Sequence, residues 1–478
     1  MIYRIILVSI FFISILLFFS IPEAIDKIFL TLVISLALFS FYAYYKIIKS
    51  KFGYFPWLSI GSLFVIGHLI VSFQLYLTYI FGFDLNKVFD FFIWADKDIV
   101  NKAAVISLVG SVSFFCGNSF FFFKPKNLKK KTFNYKLSIN TLFVFALIFY
   151  ILFIFQSGSY ALGFYSAGDQ GQYFSYFNNG FNIFLKAALI LKLYYVNNNY
   201  KSFIVTSIYD YIKLIGIPIS FLVFWHIIFS IYVGDRGPVL TYTLLYFSIY
   251  FLKFYKISFI KFIVMVLLLS TVFSIMRNAR TREDSRSYYE RLSNIEINKN
   301  NFFDDEYVLL PLTIDLALSA RNLHHSISNV PSQHDFMYGQ YQILQIFSGI
   351  PFLGSWYHNQ FLGGEFRYQG SAFFLTYLVL GDDAKSGEGS TATSDLYLDF
   401  GIPGVIFGFL IFGLIIRRLD NSLLFSFKNN FFIWIAALCY LSSAVYIARS
   451  AILFQIQQII PIYIVILFFV NFFKTSKN

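Results

Sequence analysis

Runs of about 20 apolar residues, separated by short polar breaks, recur along the chain, and each is long enough to carry a helix across roughly 30 Å of hydrocarbon. The pattern predicts twelve membrane helices, over residues 2–21, 28–47, 57–79, 103–123, 138–156, 181–197, 214–233, 239–255, 258–276, 396–416, 429–447 and 452–473. One connection breaks the rhythm: residues 277–395, 119 in all, separate the ninth helix from the tenth. The expected organisation is an all-α polytopic membrane protein in three parts, with nine helices over 1–276, a large external loop over 277–395 and three helices over 396–478. Inside the loop, the stretches 307–320, 341–356 and 371–380 are apolar but too short to span. Such pieces lie along the interface or pack down as re-entrant segments, so the loop is expected to form a folded cap. No 20- to 50-residue repeat and no low-complexity tract interrupts the reading.

Orientation follows from the lysines, because short loops rich in positive charge stay cytoplasmic. Every second loop is basic: Lys46, Lys49 and Lys51; Lys124 to Lys136; Lys201 and Lys213; Lys253, Lys256 and Lys261; Arg417, Arg418 and Lys428; and finally Lys474 and Lys477. Both termini are therefore expected in the cytoplasm. The intervening loops are lysine-poor and carry acidic residues such as Asp84, Asp90, Asp96 and Asp98. Composition agrees, since 58 % hydrophobic residues and 13 % charged residues exclude an ordinary soluble domain of this length. The net charge of +12 is mostly the inner-face lysine excess and calls for no nucleic-acid partner. The first apolar run has no small-x-small cleavage pattern after it and reads as an anchor. Cys116 and Cys439 both fall inside predicted spans, which excludes a disulfide framework for the outer loop.

Against this topology the arginines are misplaced. Nine of the twelve, Arg236, Arg277, Arg280, Arg282, Arg286, Arg291, Arg321, Arg367 and Arg449, stand outside or at the outer boundary, whereas seventeen of the twenty-five lysines lie inside. Arginine presents a planar, permanently charged fork that pairs bidentately with phosphate, and lysine does not. The split points to an anion handled on the outer face. Within 277–291 five arginines accompany Glu283, Asp284 and Glu290, and a solvated helix laced with ion pairs would look the same. Arg277 and Arg280 follow the ninth span at a helical spacing of three and share one face at the membrane surface. The turn Gly234-Asp235-Arg236-Gly237-Pro238 joins two spans; glycine and proline alone would make it, so the charged pair at its centre is surplus to the turn. Arg449, beside Ser450, sits at the mouth between the last two spans, where snorkelling is the competing explanation.

Candidates for proton transfer are fewer. His324, His325, His334 and His358 occupy the large loop, while His68 and His226 lie in spans. Histidine near its reference pKa can take a proton from a sugar hydroxyl, as can a carboxylate with a raised pKa. The stretch 381–404 carries Asp382, Asp383, Glu388, Asp395 and Asp399 among five glycines and leads into the tenth span. No zinc-ligand spacing, nucleotide-binding glycine loop or nucleophile elbow is present, so no metal or nucleotide cofactor is expected.

With these residues in view, the chain resembles the O-antigen (oligosaccharide repeat-unit) polymerases, the Wzy family. The resemblance is carried by Gly234-Asp235-Arg236-Gly237-Pro238, by the large outer loop after it, by Asp395-Leu396-Tyr397-Leu398-Asp399-Phe400-Gly401-Ile402-Pro403-Gly404, and by the outer Arg449 near the C-terminus. It implies a glycosyltransferase of the bacterial inner membrane that joins undecaprenyl-pyrophosphate-linked oligosaccharide units into O-antigen or a related surface polysaccharide, with a chain-length regulator as a possible partner. On that reading Arg236, Arg277, Arg280 and Arg449 hold the pyrophosphates, with Arg282 and Arg321 behind them. The general base is His358, with His325, Asp235 and Asp395 as rivals. A glycan ligase shares the architecture and chemistry. A lipid-linked oligosaccharide flippase or transporter would instead line several spans with charge, and the mid-span ionisable residues are only His68, Lys186, Lys192 and His226.

Overall fold

The structure, a computed structural model, describes residues 1–83, 97–120, 135–162, 171–199, 207–278, 313–384, 387–424 and 431–473, and all regular structure among them is helical. The helices in the first half are α1 (Ile2–Phe18), α2 (Lys27–Phe52), α3 (Ile60–Ile80), α4 (Lys97–Phe120), α5 (Tyr135–Gln156), α6 (Phe174–Asn199), α7 (Ile208–Ile215), α8 (Ile217–Val233), α9 (Arg236–Ile249) and α10 (Phe259–Asn278). The described part of the long connection contributes α11 (Ile314–Ala317), α12 (Ala320–Asn329), α13 (Gln340–Phe347), α14 (Leu353–Phe361) and α15 (Ser371–Leu380). The chain closes with α16 (Ala392–Leu424), α17 (Phe431–Ile447) and α18 (Ile456–Phe472). The described part of each predicted span overlaps these helices, with 214–233 divided between α7 and α8. By length and apolar composition five can cross a bilayer, α2 to α5 and α16, and α7 with α8 forms a sixth candidate bent by 107°.

Local sequence sets the helix ends. Asp26 caps α2 by accepting from the Ile28 and Phe29 amides, and Gly53, at φ 74°, stops it. α8 and α9 are joined by the Gly234 turn: Gly234 ends α8 in the left-handed region at φ 87°, and the Asp235 side chain accepts from the Gly237 amide to start α9.

Packing divides the chain into two compact units, each discontinuous in sequence. The first comprises 1–124, 299–420 and 444–457; the second comprises 125–298, 421–443 and 458–478. The described residues from 313 to 395 thus belong to the first unit.

In the first unit α4 and α16 cross with their backbones almost touching. A Cβ on Gly117 would sit 2.1 Å from the Leu410 carbonyl oxygen, and one on Gly413 would sit 2.5 Å from that of Phe114. Between helices in lipid there is no hydrophobic drive, so small residues that allow such contact supply the association. Gly117→Leu is therefore expected to cost about 1–3 kcal/mol or more through overpacking, read as a lowered melting temperature in detergent. Below this crossing the Asp420 carboxylate accepts from the Ile60 and Gly61 amides at 2.8 and 3.0 Å and caps the start of α3. Arg417, expected in a cytoplasmic loop, is instead carried inward by α16, 1 % exposed, with its guanidinium 4.7 Å from the Phe52 ring centre.

α16 is not one straight rod. Phe400 (φ −142°, ψ 15°) and Gly401 (φ 63°, ψ −144°) leave helical geometry, and only glycine tolerates the second of these readily. In an unbroken helix residues 396 and 408 would stand about 18 Å apart. Here a Cβ on Gly404 would lie 2.4 Å from the Leu396 carbonyl oxygen, and one on Gly408 would lie 2.4 Å from Leu396 Cδ2. The arm 392–399 therefore doubles back along the start of the arm that follows Pro403. The predicted tenth span, 396–416, crosses this reversal, so its crossing portion starts only beyond Gly401.

Candidate active site

The folded-back arm places two carboxylates where several elements of the first unit meet. Asp395 is fully buried and accepts from Ser371 Oγ at 2.6 Å, Gln342 Nε2 at 2.8 Å, Gln345 Nε2 at 3.1 Å and the Ile452 amide at 3.3 Å. Gln345 uses its other end to accept from the Leu453 amide at 2.9 Å. One carboxylate thus joins α13, α15, the arm of α16 and the 448–455 connection that carries Arg449. A carboxylate with all its lone pairs engaged in this way orients its neighbours; it does not sit open to a substrate hydroxyl.

Asp399, one turn on, accepts from the Tyr341 and Gln342 amides at 3.3 Å each. These are early donors of α13, whose N-cap is Gly339 and supplies no side chain, so Asp399 caps the helix from a distant part of the chain. The Tyr341 hydroxyl lies buried beside this pair with no hydrogen-bond partner among the described residues. Burial, reinforced by the negative charge of Asp399 and Asp395, holds that phenol protonated well above its ordinary range.

Next to the arm's first residues is a small cavity, about 10 Å³ and so roughly one water in size, with Ser72, Tyr76, Ser107, Thr391 and Thr393 among its lining. Tyr76 reaches from here to His324 Nε2 at 2.9 Å. His325, adjacent on α12, is half-buried, and Arg321 on the same helix pairs with Glu388.

His358 is buried at the end of α14, and its Nε2 meets the Glu365 carbonyl at 2.9 Å. A carbonyl only accepts, so Nε2 carries the proton and Nδ1 is the nitrogen left for base chemistry. Arg367 pairs with Glu365 at 2.6 Å and lies over the Tyr377 ring. Arg449 is half-buried, its amide bonded to the Tyr446 carbonyl at 2.9 Å.

Asp235 and Arg236 belong to the second unit. Besides capping α9, Asp235 accepts from the Tyr160 hydroxyl at 3.4 Å, which fixes the turn that presents Arg236, itself half-buried. Arg277 stands near the end of α10, while Arg280, Arg282, Arg286 and Arg291 lie outside the described residues. Of the mid-span ionisable residues, His68 contacts Ser111 at 3.0 Å, Lys186 donates to Gln458 Oε1 at 2.6 Å, and His226 is edge-on to the Tyr242 ring.

The profile of the family described as O-antigen polysaccharide polymerase Wzy matches residues 1–477. The chain belongs to this family. It is an O-antigen repeat-unit polymerase, a multi-pass membrane protein that acts on lipid-linked oligosaccharide repeat units. No curated protein and no solved structure matches it.

Two residues that organise this junction, Gln342 and Gln345, escaped the sequence reading, and the role of Asp399 was not read. Gln342 and Gln345 lie in a stretch that reads only as apolar, although their spacing of three puts both on one helical face. Asp399 reads as one acid among five in a flexible stretch. The usable signal was its offset of four from Asp395, which sets both carboxylates on the same side of a helix.

Proposed function

We propose that both substrates of the polymerase are undecaprenyl-pyrophosphate-linked glycans, engaged at the outer face of the bacterial inner membrane with both termini in the cytoplasm. The acceptor sugar hydroxyl attacks the anomeric carbon of the donor. The bond from that carbon to the pyrophosphate oxygen breaks, undecaprenyl pyrophosphate departs, and the hydroxyl proton passes to a base. The leaving group carries its own activation, so the reaction needs no nucleotide and no metal; positive charge placed to meet the diphosphate lowers the barrier. We assign Arg236, Arg277, Arg280 and Arg449, with Arg282 and Arg321, to the two pyrophosphates. His358 is the base through Nδ1, with His325 its rival, and Asp395 and Asp235 are positioning residues. A chain-length regulator is the expected protein partner.

The observation that carries this reading is the arginine placement, nine of twelve on the lysine-poor side, in a chain of this family. Purified protein in liposomes with lipid-linked repeat units, EDTA and no nucleotide is expected to yield a ladder of polymer. Transfer only to a different acceptor lipid would make it a ligase, and translocation without bond formation would make it a transporter.

A further inference from the structure

We infer that the hairpin α13–α14 is a re-entrant element, immersed in the hydrocarbon of one leaflet with Phe352 at its leading tip. Residues 336–364 contain no Asp, Glu, Lys or Arg, the longest such stretch in the cap, yet they do not form a span. They form two half-length helices, Gln340–Phe347 and Leu353–Phe361, around a break at Ser348-Gly349-Ile350-Pro351-Phe352.

The direction of the hairpin follows from its partners. Phe400 and Gly401 mark the turn at one end of the crossing arm of α16, and the folded-back arm runs from Asp399 toward Asp395 and onward along that span. α13 begins at Gly339, against the Phe400 ring, where Asp399 meets the Tyr341 and Gln342 amides; three residues later Gln345 meets Asp395. α13 therefore enters at the level of the turn and runs toward the bilayer interior. Its eight residues advance about 12 Å, close to the hydrocarbon depth of one leaflet.

Around the break the exposed side chains are mostly apolar, while α14 also exposes the uncharged polar residues Ser355, Asn359 and Gln360. Leu344, Tyr357 and Leu362 pack inward with Phe347 and Met337. Ile343, Ile346 and Ile350 are exposed outward, Trp356 is half exposed, and Phe352 is 90 % exposed. Large exposed apolar side chains grouped near the tip of an uncharged helix pair favour lipid and are a liability in water. The lipid-facing stripe of the crossing arm, Phe407, Ile411 and Ile415, continues upward to Phe400, and Phe400 touches the start of the hairpin, so the two exposed faces are continuous.

Backbone bonding fits immersion as well, since non-helical chain survives in hydrocarbon only if its polar groups are satisfied internally. In the break, the Ser348, Gly349 and Ile350 amides bond to Leu344, Ile346 and Phe347 carbonyls at 2.8, 3.2 and 2.9 Å. Pro351 has no N–H, and Ser348 Oγ donates to the Leu344 carbonyl at 2.7 Å.

The test uses the full chain in liposomes with Trp57, Trp94, Trp225 and Trp434 replaced by Phe, leaving Trp356 as the sole tryptophan. Lipids brominated in their acyl chains are expected to quench Trp356 strongly and aqueous iodide weakly; the reverse order overturns the inference. A second variant, Phe352→Cys, carries a thiol-reactive nitroxide, with Cys116 and Cys439 buried. In a preparation that still forms polymer, the nitroxide is expected to be more accessible to oxygen than to a water-soluble nickel chelate. Greater access to the chelate, or protection from both reagents by a covering protein, overturns the inference.

Discussion

Arg236→Ala abolishes long-chain glycan in cells whose only copy of the polymerase carries it, while the protein still inserts at normal levels. The expectation starts from the turn. Gly234 takes a left-handed backbone, Asp235 caps α9 and is held by Tyr160, and these together fix the orientation of the next residue. Asp235 and Gly234 close the turn, and loss of the guanidinium is felt where diphosphate charge develops. Removing one well-placed charge-stabilising group typically costs about 10²- to 10³-fold in rate, roughly 3–4 kcal/mol, and a polymer built by repeated turnover magnifies the deficit. Arg236→Lys keeps the charge but loses the bidentate fork, so it is expected to insert equally well and to restore little of the chain length. Glycan ladders resolved by gel, beside immunoblots of membrane fractions, measure both. Normal ladders from Arg236→Ala would remove this residue from the site.

Asp395→Ala has the largest expected effect on stability. It strands the Ser371 hydroxyl, the Gln342 and Gln345 amides and the Ile452 amide without an acceptor, all in a place water does not reach. Each stranded buried donor costs about 1–3 kcal/mol, so a loss on the order of 3–5 kcal/mol is expected even after local relaxation. Asp395→Asn keeps the shape but turns one oxygen into a donor that faces other donors, so it too melts at lower temperature in detergent. Both variants are expected to lose polymer because the 448–455 connection, which carries Arg449, comes loose from α13. An Asp395→Asn protein with full thermal stability and no turnover would instead make Asp395 the base.

The all-helical class, the membrane character and the family were legible in the sequence because each rests on a property that adds up locally. Hydrocarbon accepts only long apolar helices, so Phe-, Ile- and Leu-rich runs announce themselves. The asymmetry between arginine and lysine is likewise a count along the chain, and the Gly234-to-Pro238 turn is written in consecutive residues. Asp395 and Asp399 stood out as acids at the mouth of a span, but their partners did not. Those partners, Gln342, Gln345, Ser371 and Ile452, are 24 to 57 residues away, and nothing local distinguishes a glutamine that binds a buried carboxylate from one that faces water. Only the reversal at Phe400–Gly401 decides that the acids point into a junction. The same holds for Arg417, which reads as a loop cation and is buried because α16 runs on past the expected end of its span. Hydropathy and charge order are sums over neighbours in sequence, and so the chain alone determines them. Which polar groups satisfy one another is settled by close approach between distant segments, where a single glycine can turn a helix back on itself.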